Sequence, residues 1–163
     1  MLIQLKNKDK LIIGNHIFKC CIGKKGVNKY KKEGDLSTPK GEFKFGTLYY
    51  RKDRVLKPNT KLKTKVIKPN MGWCNDSFHK FYNKEINIHK KIKHEKLFRK
   101  DRKYDYFIVI NYNTKKTIPN KGSAIFLHLT KNYHSTEGCI ALKKKNFLSL
   151  LKFINSKTKI KFY

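Results

Sequence analysis

Apolar residues in this chain recur mostly at every second position or gather in short runs, so the pattern predicts strands more than helices. Leu2-Ile3-Gln4-Leu5 and Lys10 to Ile13 read as two short strands joined by an Asn7-Lys8-Asp9 turn. Ile17 to Ile22 reads as a third, ended by Gly23 and Gly26, and Val27 to Pro39 as a polar loop closed by Ser37-Thr38-Pro39. Gly41 to Tyr50 carries Phe43, Phe45 and Leu48-Tyr49-Tyr50, a longer strand of alternating burial. Arg51 to Asn70 is basic and loop-like, with one short strand at Val66-Ile67. Ile92 to Arg99 is expected to form a short helix with Leu97 and Phe98 as its apolar side. Asp105 to Tyr112 is the strongest strand, rich in β-branched and aromatic residues. After a turn at Pro119-Asn120-Lys121-Gly122, the apolar run from Ala124 to Leu127 ends in His128. Lys144 to Asn155 spaces Phe147, Leu148, Leu150, Leu151, Phe153 and Ile154 as a helix, and Thr158 to Tyr163 alternates as an edge or closing strand. The expected fold is mainly β, a sandwich or barrel with a short mid-chain helix and one C-terminal helix. With no internal repeat and no linker, residues 1–163 are expected to form one domain.

Composition changes this picture in one respect. Hydrophobic content of 39% and aromatic content of 13% support a folded core despite 31% charged residues. The net charge of +29 is extreme and will attract polyanions such as nucleic acid, anionic lipid or an acidic wall polymer. The lysines are spread along the whole chain beside abundant Asn and Ile, however, which is the pattern of a compositional bias more than of a binding stripe. No apolar run is long enough to span a membrane. Near the N-terminus no uninterrupted apolar stretch, Leu11-Ile12-Ile13 included, is long enough for the hydrophobic part of an export signal. Neither Cys20-Cys21 nor the six His residues show zinc-ligand spacing, so no metal or other cofactor is expected.

Chemistry concentrates in Ser123 to Leu142. A strand delivers His128, a polar connection follows, and Gly138-Cys139 opens a second apolar segment at Ile140-Ala141-Leu142. The loop can return to place the thiol beside the imidazole, which would act as its base. The N–H groups of Gly138 and Cys139 would then face the oxyanion, the bare glycine leaving room for a substrate carbonyl. A lone Cys among apolar residues is commonly an inert core thiol and a lone His a structural one; the joint arrangement with Thr136 separates this stretch from both cases. Cys74 and His79 form a rival pair without the Gly-Cys turn, and His134 is a rival base in the connecting loop. Trp73, the only tryptophan, reads either as a wall of the substrate groove or as a residue packing a long loop onto the sheet.

This arrangement resembles the L,D-transpeptidase catalytic domain (YkuD) family. His128 stands at the family's base position, Thr136 at its Ser/Thr, Gly138-Cys139 at its Gly-Cys and Ile140 at the following hydrophobic residue. Upstream, Thr38-Pro39-Lys40-Gly41-Glu42-Phe43 resembles the family's Thr-Pro-x-Gly-x-Phe turn, with Gly23 before it. The resemblance runs from about Ile17 to Tyr163. It implies an L,D-transpeptidase-like β-sandwich or barrel in which Cys139 attacks a peptidoglycan stem peptide, forms a thioester, releases D-Ala and passes the acyl group to an amine. With water as acceptor the same site would be an L,D-carboxypeptidase-type hydrolase. A carbonyl at or near Leu129 would fix the His128 tautomer, Thr136 would bond the loop or the base, and Glu137 and Trp73 would meet substrate. Glu137 stands where many members carry His, and Ala141 where many carry Asn or Arg; both bear on which stem and acceptor are used. The resemblance also implies work in the cell envelope.

A different class of function competes. In a nucleic-acid or polyanion binder, Cys139 would be merely buried and the Lys-flanked aromatics of Phe78 to Tyr82 and Lys103 to Phe107 would be stacking platforms. Salt-sensitive affinity for single strands would mark that class.

Overall fold

The alternating segments assemble side by side into one large sheet. The structure, a computed structural model, describes residues 1–89 and 91–163. In chain order the strands are β1 (Leu2–Lys6), β2 (Lys10–Ile13), β3 (His16–Lys19), β4 (Val27–Asn28), β5 (Thr38–Pro39), β6 (Gly41–Tyr50), β7 (Thr64–Val66), β8 (Met71–Cys74), β9 (Glu85–Asn87), β10 (His94–Lys96), β11 (Tyr106–Ile110), β12 (Phe126–Leu129) and β13 (Ile140–Leu142). The helix α1 (Lys144–Leu151) and the strand β14 (Lys159–Phe162) close the chain.

The large sheet runs β13-β12-β11-β6-β14-β1-β2-β3, with β7 pairing β6 off that path. Its two ends meet. Cys21 and Ala141 exchange a pair of 2.9 Å backbone hydrogen bonds. Beside them Thr136 donates its N–H to Ile22 and accepts from Lys24, each at 2.9 Å. The sheet therefore curls into a nearly closed barrel, and the seam lies next to Cys139. Closing a sheet in this way removes the exposed edges that invite pairing with other chains.

The interior of the barrel is apolar, filled by Leu48, Ile108, Leu127, Ile140, Phe147 and Ile160 among others. The opposite face of β6, β11 and β12 is also covered. The small sheet β10-β8-β9 packs there over Tyr49, Phe107, Val109 and Phe126. Burial on both faces explains why Tyr106–Ile110 reads as an unbroken apolar run.

Two expectations need correction. Residues 92–99 form no helix: β10 pairs antiparallel with β8, and Leu97, fully buried, donates its N–H to Met71 O. A helix this short is marginal alone, whereas β8 offers a complete ladder of partners. The C-terminal helix ends at Leu151 rather than Asn155, because Asn155 turns the chain by accepting the N–H groups of Lys157 and Thr158 on its side chain. Phe153 and Ile154 still pack onto the barrel core from that turn.

Candidate active site

The parallel pair β12–β13 sets the reactive residues. Its register pairs Leu127 with Ile140 and His128 with Ala141, so Cys139 lies level with Phe126. Alternation along β12 sends Leu127 into the barrel and Phe126 and His128 to the other face. Phe126 N–H donates to Cys139 Sγ at 3.4 Å, and the thiol donates to Ala124 O at 3.1 Å. Cys139 and His128 both line one cleft of about 900 Å³. That volume suits a peptide segment.

His128 is buried and held in one orientation. Its Nδ1 lies 2.9 Å from Leu129 O. A carbonyl only accepts, so Nδ1 carries the proton and Nε2 is the basic nitrogen. The Tyr104 ring packs edge-on against the imidazole, with centroids 5.4 Å apart. Phe126 and Phe107 support Tyr104 from behind. Burial, and after it the nearby Lys103 and Arg99, lower the imidazole to about 4 despite the bond to Leu129. Burial and then the Glu95 carboxylate push the Cys139 thiol upward. The resting pair is therefore neutral thiol and neutral imidazole, not a preformed ion pair.

Gly138 is required by the backbone. Its φ is +146°, and a Cβ there would meet Ser37 O at 2.7 Å. The space is thus taken by the Ser37 carbonyl, not left for substrate as the sequence suggested. Thr38, fully buried, donates its hydroxyl to Gly138 O at 2.8 Å and accepts Gly23 N–H at 3.0 Å. Asp35 shapes the turn before it, accepting from Lys31 Nζ, Lys32 N and both polar groups of Ser37. Burial opposes its charge, but these donors hold its carboxyl down at about 2. Two motifs 100 residues apart are in this way one structure.

The other expected site residues divide. The Gly138 N–H donates to Thr136 Oγ1, which itself donates to Cys139 O, so Thr136 is a turn hydroxyl and Gly138 N–H is not free for an oxyanion. Among the described residues no acceptor takes the Cys139 N–H, leaving it as the backbone donor at this turn. Leu129 enters through its carbonyl, while its side chain belongs to the barrel core. Glu137 is exposed at the cleft. Trp73 is no groove wall: it is buried, lies outside the cleft lining, packs edge-on against Phe126 and donates its indole N–H to Asn83 Oδ1. Cys74 is fully buried and away from the cleft, whereas exposed His134 lines it from the loop. Tyr104, Tyr106 and Phe107 are buried and cannot stack on bases; of the other aromatic cluster, Phe78 and Phe81 are exposed and Tyr82 is buried. Among the described residues no cluster of His, Cys, Asp or Glu is placed to hold a metal.

Sequence reasoning missed Asn83 and Ala124. Asn83 Oδ1 accepts from Trp73 and from Ala124 N–H, and its Nδ2 donates to Tyr112 O and Asn113 O. Every side-chain bond of this buried amide is used, and it fixes the residue whose carbonyl holds the thiol. Ala124 has φ +52°, which nothing about an alanine announces.

The L,D-transpeptidase catalytic domain (YkuD) profile matches residues 3–161, nearly the whole chain, and the chain belongs to that family. No curated protein sequence matches it. Among solved structures, that of Bdellovibrio bacteriovorus Bd1075 shares the fold, with a TM-score of 0.51 at 14% identity. The match covers 99% of this chain and 47% of that one, so the chain spans about half the length of that protein. No helix among the described residues is long and apolar enough to cross a membrane.

Proposed function

We propose that the protein is a cysteine-dependent L,D-transpeptidase acting on peptidoglycan stem peptides, with Cys139 as nucleophile and His128 as base. The observation that carries this reading is the shared cleft, in which a thiol held by Ala124 O faces the same space as an imidazole whose Nδ1–H is committed to Leu129 O.

As the sulfur attacks the stem carbonyl, Nε2 of His128 takes the thiol proton, so proton transfer and C–S bond formation proceed together. Phe126 N–H already points at sulfur and stabilises charge developing there. The Cys139 N–H donates to the oxyanion. Collapse breaks the C–N bond to D-Ala, whose amine receives the proton from His128. An acceptor amine then attacks the thioester, gives its proton to His128, and releases the thiol with that proton restored. Acting on the wall polymer places the working protein in the cell envelope.

The test is incubation with tetrapeptide muropeptides. Cross-linked dimers from the wild type and none from Cys139→Ala are expected, together with a covalent mass shift by a carbapenem at Cys139. Release of D-Ala without dimers would assign water as the acceptor. Absence of any adduct or turnover, with salt-sensitive binding to single strands indifferent to Cys139→Ala, would return the chain to the class of polyanion binders.

A further inference from the structure

In a chain of net charge +29, a carboxylate facing a cleft without a cation is conspicuous. Six carboxylates, from Asp35 to Asp105, close ion pairs of 2.6–3.3 Å with Lys or Arg. Among the described residues Asp9, Asp76 and exposed Glu137 close none, and neither Glu33 nor Glu95 does so at that range. Glu33 and Glu95 are each partly buried, line the cleft, and accept from a neutral tyrosine instead. Tyr82 donates to Glu33 Oε2 at 2.5 Å, and Tyr104 donates to Glu95 Oε1. Arg99 approaches Glu95 only at 4.0 Å while its guanidinium is bound to Asp101 at 2.7 Å. Among the described residues no donor takes the other oxygen of either carboxylate.

Two further groups point the same way. Asn75 Oδ1 and Ser123 Oγ are buried side-chain atoms without a hydrogen-bond partner among the described residues, and both residues line the same cleft. Ser123 is only 7% exposed. Such atoms are costly unless something from outside satisfies them. Their placement is coherent. Asn75 follows β8 and donates its N–H to Lys93 O, while β10, paired to β8, sets Glu95 opposite Trp73. Ser123 precedes Ala124, whose carbonyl holds the Cys139 thiol. Burial pushes the Glu95 carboxyl upward, and the nearby Glu137 and Glu33 carboxylates add to that push.

We propose that Glu33, Asn75, Glu95 and Ser123 form a subsite for a primary ammonium group carried by the peptide substrate of Cys139. An ammonium brings three N–H donors and one positive charge. The wall offers two carboxylate oxygens and an amide oxygen, all acceptors, and the lining cations Lys31 and Arg99 are each bound at 2.7 Å to another carboxylate, Asp35 and Asp101. The Ser123 hydroxyl completes the shell. Substrate specificity would follow: stems with a side-chain amine are held, and those with that amine blocked are not.

The inference rests on the reading of Cys139 as an acylating residue for peptides, so binding is measured apart from chemistry. Calorimetry on the Cys139→Ala protein compares L-Ala-γ-D-Glu-L-Lys-D-Ala with the same peptide acetylated at the lysine amine. The free amine should bind at least about tenfold tighter, and Glu33→Gln/Glu95→Gln should erase the difference. Diffuse attraction cannot mimic this result, since a +29 surface repels a cation. Should the double variant fail to fold, Glu33→Gln alone must lower the ratio at least about threefold. Equal binding of the two peptides, or a preference untouched by these substitutions, overturns the subsite. Mass spectrometry of the wild type separates the two ideas. A preference for the free amine with no peptide adduct on Cys139 keeps the subsite and rejects acyl transfer; adducts formed equally from both peptides reject the subsite alone.

Discussion

Strands β6, β11 and β12 bury both faces, and the two faces differ in kind. Toward the barrel they present Leu48, Ile108 and Leu127, side chains with nothing to hydrogen-bond. Toward the small sheet they present Tyr49, Phe107, Phe126 and His128, aromatic and titratable, and Cys139 joins them from the next strand. The barrel face needs only volume and apolarity, and tolerates exchange of one aliphatic for another. The opposite face commits its polar groups to particular partners: Tyr104 to Glu95, Trp73 to Asn83, His128 to Leu129. Desolvation stabilises the fold on one side. On the other it keeps a thiol and an imidazole uncharged at rest.

Leu127 and His128 are consecutive residues on opposite faces, so substitutions there break the comparison most sharply. His128→Gln should lower acylation by at least about 10³-fold at pH 7 while costing only about 1 kcal/mol of stability in urea. Leu127→Ala should do the reverse, removing about 2–5 kcal/mol of stability while the folded fraction keeps its rate per molecule. Equal losses of rate and stability in both variants would mean that the two faces are not independent.

The next effect separates the faces by pH. The imidazole titrates near 4 when folded against 6.5 when free, so between these values the unfolded chain binds the extra proton and stability rises with pH. This contribution is complete above 6.5, and about 3 kcal/mol is lost by the time the pH has fallen through 4. Urea midpoints at pH 7 and 4.5 should therefore differ less in His128→Gln than in the wild type, whereas Leu127→Ala should show the wild-type slope. The raised thiol adds a kinetic counterpart: alkylation of Cys139 by iodoacetamide should be slow at pH 7 and accelerate into the alkaline range. Rapid alkylation at pH 6 would show a preformed thiolate and overturn the neutral resting pair.

How much of this was legible in the chain depends on whether a residue's role is local. Period-two alternation marks β6 and β14, short apolar stretches mark β1 and β2, and β-branched and aromatic content marks β11; the step from an apolar run to His128 and then Gly138-Cys139 singles out two residues that line one cleft. A carbonyl at or near Leu129 is expected to hold the imidazole, and His128 Nδ1 lies 2.9 Å from Leu129 O. Roles created by distant contacts were not legible. Trp73 sits among turn residues and only the fold shows its indole committed to Asn83. The Ile92–Arg99 segment has an apolar pair that suits a helix, but the open edge of β8 decides it. Gly138 reads as clearance in sequence because Ser37, whose carbonyl fills that space, lies about a hundred residues earlier.

The smallest effect tests whether the two motifs act together. Thr38 touches neither sulfur nor imidazole, yet its hydroxyl ties Gly23 N–H to Gly138 O at the barrel seam. Thr38→Val keeps the shape and leaves two buried backbone groups without partners, which should cost about 2 kcal/mol. If the hydroxyl serves the fold alone, activity per folded molecule will be unchanged. If it also sets the pitch of the Gly138-Cys139 turn, kcat will fall several-fold with KM held, and Thr38→Ser, which restores the hydroxyl, will recover both rate and stability. The second outcome is expected, because Gly138 has no side chain of its own to hold the turn. Its orientation comes from Thr38 on one side and Thr136 on the other.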